Sequence, residues 1–160
     1  MKLYTTSVAP NPRRVSIFLA EKGIEVPQVE VDLAGNEHLL PDFLERNPLG
    51  RVPVLEFEDG SYLSESVAIC RYFEVTEPEP ALFGTGARAQ AEVEMWNRRM
   101  EFEILANVSG SFRHSHPYWA ERIEQVPDFG DLCRRTLMDR MKWLDEELAG
   151  KSFIAGERFT

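Results

Sequence analysis

Apolar and polar positions change period about halfway along the chain, and the change separates two textures. In the first half the runs are short and mixed. Leu3-Tyr4-Thr5 reads as a strand, and residues 13–22 read as a helix whose apolar face carries Val15, Phe18 and Leu19. Pro12 suits the first turn of that helix, and Gly23 supplies a left-handed stop. Over residues 28–33, Val29 and Val31 alternate with Glu30 and Asp32, which predicts a second strand. Residues 41–45 predict a short helical turn. Residues 54–57 and 61–63 predict a hairpin across Asp59-Gly60, and a helix follows over 65–73. The order β-α-β-α-β-β-α is a thioredoxin-like arrangement.

The acidic, proline-punctuated stretch Thr76-Glu77-Pro78-Glu79-Pro80 interrupts this pattern and reads as a linker. Beyond it the period is helical throughout. Ala89, Val93, Trp96, Met100, Ile104 and Val108 recur at steps of three or four, as do Leu137, Met141, Leu144 and Leu148. Such stripes are core positions first, and Met95, Trp96 and Met100 are read as packing residues rather than ligand contacts. The organisation expected is an α/β thioredoxin-like domain over 1–75, a linker over 76–86 and an all-α domain over 87–160. No internal repeat or low-complexity segment interrupts it.

Composition narrows the function classes. With 160 residues, a formal charge of −9 and 43% hydrophobic content, the chain has the make-up of a globular protein rather than a disordered tail. An acidic chain without a Lys/Arg stripe is a poor partner for nucleic acid or an anionic membrane, since binding to phosphate needs concentrated positive charge. Arg13-Arg14, Arg98-Arg99 and Arg134-Arg135 are scattered and read as solvated helix faces. No stretch has the pattern of a signal peptide or the length of a membrane span, so a cytoplasmic location is expected. Cys70 and Cys133 stand far apart in helical patterns and are expected to be buried, reduced thiols. His114-Ser115-His116 lacks the spacing of a metal site.

The chemistry concentrates in Asn47-Pro48-Leu49-Gly50-Arg51-Val52-Pro53 and in Leu63-Ser64-Glu65-Ser66-Val67-Ala68-Ile69. Pro53 enters a strand without a donor of its own, so Val52 can offer its N–H and C=O to an extended ligand. Glu65-Ser66 opens a helix, where unpaired N–H groups favour a carboxylate while Glu65 can pair with an ammonium. Together these groups fit the two charged ends of an amino acid.

These segments, with the ending Phe153-Ile154-Ala155-Gly156-Glu157-Arg158-Phe159-Thr160, occur in the order seen in the cytosolic glutathione transferases. From Met1 to Thr160 the chain resembles that family, most closely its theta-like and related bacterial branches. Phe159-Thr160 also has the form of a helix-opening cap, and the family continues with further helices, so the resemblance implies a chain truncated at its C-terminus. It implies a thioredoxin-like domain that binds glutathione as co-substrate, with no other cofactor and no metal. It also implies a helical domain holding a small hydrophobic electrophile, a homodimer, and a cis bond before Pro53.

The thiol of glutathione must ionise to react quickly, so the family places a donor beside the sulfur. At the position of the theta-like catalytic serine this chain has Ala9. Asn11 matches the asparagine of a similar bacterial branch, and Ser7 or Thr6 are the alternatives if the loop is shifted. Asn11 and Ser7 also suit a capping role. By the same resemblance His38 faces the glycine carboxylate, Arg51 can add a cation, and Val52, Pro53, Glu65 and Ser66 hold the rest of the tripeptide. The activity implied is conjugation of glutathione to a hydrophobic electrophile; glutathione-dependent disulfide reduction and a non-catalytic binding module are the alternatives.

Overall fold

Leu3 and Leu55 face each other across two antiparallel strands, as do Tyr4 and Val54 one residue along, and all four are buried. Because neighbouring side chains on a strand point to opposite faces, these two pairs require cover on both sides of the sheet. The computed structural model, which describes residues 1–160, provides it. Strands β1 (Lys2–Thr5), β2 (Gln28–Glu30), β3 (Val54–Glu56) and β4 (Tyr62–Ser64) form one sheet in the order β2-β1-β3-β4. The β1–β2 pair is parallel and the other two pairs are antiparallel. On one face Tyr4 and Val54 pack with Val31 and with Phe43 from the short helix α2 (Pro41–Leu44). Helices α1 (Pro10–Lys22) and α3 (Ser66–Thr76) pack on each other and bury Val15, Leu19, Ile69 and Phe73. This is the thioredoxin-like mixed sheet with helices that the pattern predicts.

The second strand is shorter than its alternation suggests. Val31 N–H still reaches the Thr5 carbonyl at 2.8 Å, but Asp32 then closes a turn in which its N–H donates to Glu37 and its carboxylate accepts from Gly35 N–H. Val31 is buried, whereas Val29 is exposed on what is an edge strand. The last strand lies one residue later than expected, and Glu65 precedes α3 rather than opening it. The Val52–Pro53 bond is cis, as expected; the Glu79–Pro80 bond is cis as well.

Lys22 holds down the proline-punctuated stretch. Its fully buried ammonium pairs with Glu74 at 2.8 Å and donates to the carbonyls of Glu77 at 2.7 Å and Pro80 at 2.8 Å. Three partners offset the cost of taking that charge out of water.

Two compact units divide between Leu82 and Phe83. The second contains α4 (Gly86–Arg99), a π-helical segment (Met100–Leu105), α5 (Ala106–Ser115) and α6 (Pro127–Leu148). Val93 and Trp96 are buried, and Trp96 stacks on Trp143 with ring centroids 6.0 Å apart. The apolar stripe does not continue inward as its spacing suggests: no residue of the π segment is buried, and Val108 and Met141 are exposed. Bonding from i to i+5 widens the turn and rotates Val108, in the α5 that continues from it, off the 3.6-residue register; Met141 lies on the separate helix α6, which the π turn does not affect. Met95 is exposed too, unlike its neighbour Trp96. Helices α5 and α6 meet closely at Gly110, where a β-carbon would lie 2.5 Å from Cys133 Sγ. Both cysteines are buried and unbridged. His114 and His116 accept the main-chain N–H groups of Val126 and Tyr118, which organises the turn between these helices.

Candidate functional site

Asn47 sets the path of the loop that leads to Val52. The residue is buried; its Nδ2 donates to the Arg51 carbonyl at 2.8 Å and its Oδ1 accepts from Leu49 N–H at 3.1 Å. Gly50 completes the turn by donating to the Asn47 carbonyl at 2.9 Å. It has φ +57°, and a β-carbon there would come within 3.0 Å of the His38 carbonyl oxygen, so the position needs glycine on both counts. The β3 ladder begins at Val54, and none of the turn hydrogen bonds engages Val52. One main-chain N–H and one C=O are thus left for an extended partner.

The other wall begins where β4 ends. Glu65 is held at φ +70°, a conformation that residues with a β-carbon adopt at a cost of about 1–3 kcal/mol. That bend starts α3 at Ser66, which is buried, and no side chain caps the helix. Its first-turn N–H groups and the positive end of its dipole are therefore available to an anion. Ser66 Oγ accepts a 2.6 Å hydrogen bond from Arg14 Nη1.

The third contribution comes from the start of α1. Ala9 is the N-cap and makes no side-chain bond, so neither Asn11 nor Ser7 caps this helix. Asn11 is exposed, and its Oδ1 accepts from Arg14 Nη1 at 3.3 Å. Ser7 is turned to Glu30, to which it donates from its main-chain N–H at 3.0 Å and its Oγ at 3.5 Å. Thr6 Oγ1 donates to the same carboxylate at 2.9 Å.

These three segments enclose a small cleft of about 40 Å³ lined by Asn11, Asn47, Arg51, Val52, Pro53, Glu65 and Ser66. It has room for one end of a small ligand, since a water molecule occupies about 30 Å³ in the liquid. Six of the eight residues singled out from the sequence line it. His38, half-buried in the 3-10 turn Glu37–Leu39, and Ser7 do not. The sequence pattern does not single out Arg14, whose charge beside Arg13 has the look of a solvated helix face, or Asn47, to which the segment around it assigns no role. The signal for Asn47 was present, as asparagine ahead of Pro-Leu-Gly is a side chain suited to hold a turn.

The perturbed titrating groups lie elsewhere. Burial pushes the Cys70 thiol up to about 12, against the opposing pull of Arg14, which disfavours its thiolate form. Glu56 is held below its ordinary range, first by the Tyr4 hydroxyl, which donates to it at 2.8 Å, and then by Lys2. No group of three or more His, Cys, Asp or Glu side chains comes together as metal ligands do.

Comparison with known proteins identifies relatives of the same fold. Residues 8–76 match the family model for the glutathione S-transferase N-terminal domain. Glutathione S-transferase 2 of Saccharomyces cerevisiae is 35% identical over 164 aligned residues, which span 100% of this chain and 70% of that protein. The crystal structure of a glutathione S-transferase domain-containing protein from Marinobacter aquaeolei superposes with a TM-score of 0.91 at 38% identity, covering 100% of this chain and 80% of that one. A maleylacetoacetate isomerase of Pseudomonas aeruginosa is 42% identical over 87 residues, 53% of this chain and 41% of that protein. The thioredoxin-like sheet and the helical unit that follows it therefore have relatives along their whole length, and the chain belongs to the glutathione S-transferase family.

Proposed function

We propose that this protein is a glutathione transferase that adds the thiolate of bound glutathione to a small hydrophobic electrophile. The observation that carries the reading is the convergence of the unengaged main chain of Val52 with the uncapped start of α3 at Glu65-Ser66. In this reading residues 1–75 bind the tripeptide, 76–86 connect, and 87–160 hold the electrophile. The cysteinyl unit of glutathione pairs in extended form with Val52 N–H and C=O, beside Pro53. Its γ-glutamyl carboxylate takes the Ser66 hydroxyl and the first-turn N–H groups of α3, and its ammonium pairs with Glu65. His38 and Arg51 are assigned to the glycine carboxylate.

Asn11 is assigned to the sulfur. A neutral amide donates to a thiolate but does not remove a proton, so the thiol proton leaves to solvent while Nδ2–H stabilises the anion. Lowering a thiol pKa by about two units corresponds to roughly 2.7 kcal/mol, which a fixed donor and the start of α1 can share. The sulfur lone pair then forms the new C–S bond, and the electron pair displaced from the electrophile leaves with the leaving group or collects a proton from water. Holding both reactants together supplies the remaining acceleration. The reading places the enzyme in the cytoplasm as a homodimer, and no helix is long and apolar enough to cross a membrane.

Calorimetric titration with glutathione, followed by turnover assays with an aryl halide and with a mixed disulfide of glutathione, tests the assignment. Binding together with aryl-halide turnover is expected. Turnover of the disulfide alone would replace it with a reductase, binding without turnover with a module, and no binding would remove glutathione from the account.

A further inference from the structure

Arg14 lies outside the cleft lining yet holds two of the side chains that line it. Its Nη1 donates to Ser66 Oγ at 2.6 Å and to Asn11 Oδ1 at 3.3 Å, joining the first turn of α1 to the start of α3 across 52 positions of sequence. A guanidinium can only donate, so each contact fixes which end of its partner is left over. Ser66 spends a lone pair on Arg14 and keeps its O–H as a donor. Asn11 spends its carbonyl oxygen and keeps its amide N–H groups. We propose that Arg14 is a positioning residue, one that makes Ser66 a donor to the ligand's carboxylate and Asn11 a donor to its sulfur.

The inference rests on the glutathione reading above and adds to it a link between the two ends of the site. Ser66 is 5% exposed, so water has little access to substitute for the guanidinium. The positive charge of Arg14 also stands beside the helix start that would receive the carboxylate, and the two attractions have the same sign. Without Arg14, the Ser66 hydroxyl can turn to accept rather than donate, and the Asn11 amide can present either end. Arg13, one residue earlier, is exposed and serves as a charge control.

Two ligands and a short set of variants test this: glutathione, an analogue lacking the γ-glutamyl carboxylate, and Arg14→Met, Arg14→Lys, Arg13→Met, Asn11→Ala and the Asn11→Ala/Arg14→Met pair. Arg14→Met is expected to weaken glutathione about tenfold or more while changing affinity for the analogue by less than about twofold. It is also expected to raise the pKa of the bound thiol, read by thiolate absorbance, as much as Asn11→Ala does. The double variant should shift it no further, since both changes remove one donor. Arg13→Met should match the parent. Should Arg14→Met fail to fold, Arg14→Lys carries the test: the point charge keeps part of the carboxylate preference and loses the effect on the thiol, because an ammonium on a flexible stem does not reproduce the guanidinium geometry. Equal losses toward both ligands, or thiol shifts that add in the double variant, would overturn the proposal. Parent-like behaviour of both Arg14 variants with intact glutathione binding would overturn this inference alone. A parent protein that does not bind glutathione would overturn the function and the inference together.

Discussion

Asn11 and Ser7 carry donor groups of similar reach, and the difference between them is what each already holds. Ser7 is committed to Glu30 through main chain and hydroxyl, whereas Asn11 lines the cleft and gives only its oxygen, to Arg14, which leaves its amide N–H groups uncommitted. Asn11→Ala should therefore raise the pKa of bound glutathione and slow conjugation with little change in affinity, while Ser7→Ala does less. A titration of thiolate absorbance in both variants checks this, and the reverse order would return the sulfur to a serine. Glu65 makes a second point at this scale. Glycine relieves a positive φ, so Glu65→Gly should stabilise the fold by about 1 kcal/mol in denaturant unfolding while weakening glutathione about tenfold through the lost ammonium partner. A variant that loses both stability and binding would show that the bend is not strained.

At the scale of elements, the parts legible in the sequence were those whose signals are local. The hairpin over Asp59-Gly60, the left-handed stop at Gly23 and the Val52-Pro53 turn each depend on residues a few positions apart. Arg14 and Ser66 are 52 positions apart, and nothing in the charge pattern separates Arg14 from the solvated Arg13. The π segment was invisible for another reason: its residues keep helical spacing in sequence, and only the hydrogen-bond ladder shows the wider turn. The pairing of β1 with β3 carries a pH dependence of its own. Tyr4 and Lys2 on β1 both bond Glu56 on β3, and they hold its carboxyl below the ordinary value of 4.5. A depressed carboxyl pKa gives stability that is complete above the unfolded value and is lost as pH falls through the folded one. Glu56→Gln should thus be less stable than the parent at neutral pH, with the gap closing below about pH 4 as the parent's carboxyl takes up its proton. Thermal unfolding across that range checks it, and a gap that stays constant would mean the ionised form is not favoured in the fold.

At the scale of the molecule, the helical unit displays Phe102, Phe112, Phe129, Leu132 and Met138 at its surface. Such residues suit contact with an electrophile or a second subunit, and the expected homodimer would cover some of them. Sedimentation at micromolar concentration should show a dimer; a monomer would leave the family's assembly out of this protein's account. In the proposed reading, the electrophile is not encoded in any local motif, because it would be selected by side chains spread over several helices.

The central claim is that Val52, Glu65-Ser66 and Asn11 act together on one tripeptide. A difference density map from crystals soaked with glutathione measures this directly. The account predicts an extended tripeptide paired with Val52 N–H and C=O, its γ-glutamyl carboxylate at Ser66 and the first turn of α3, and its sulfur within hydrogen-bond reach of Asn11 Nδ2. Glutathione bound away from Val52, or with its sulfur against Ser7 Oγ, would contradict it.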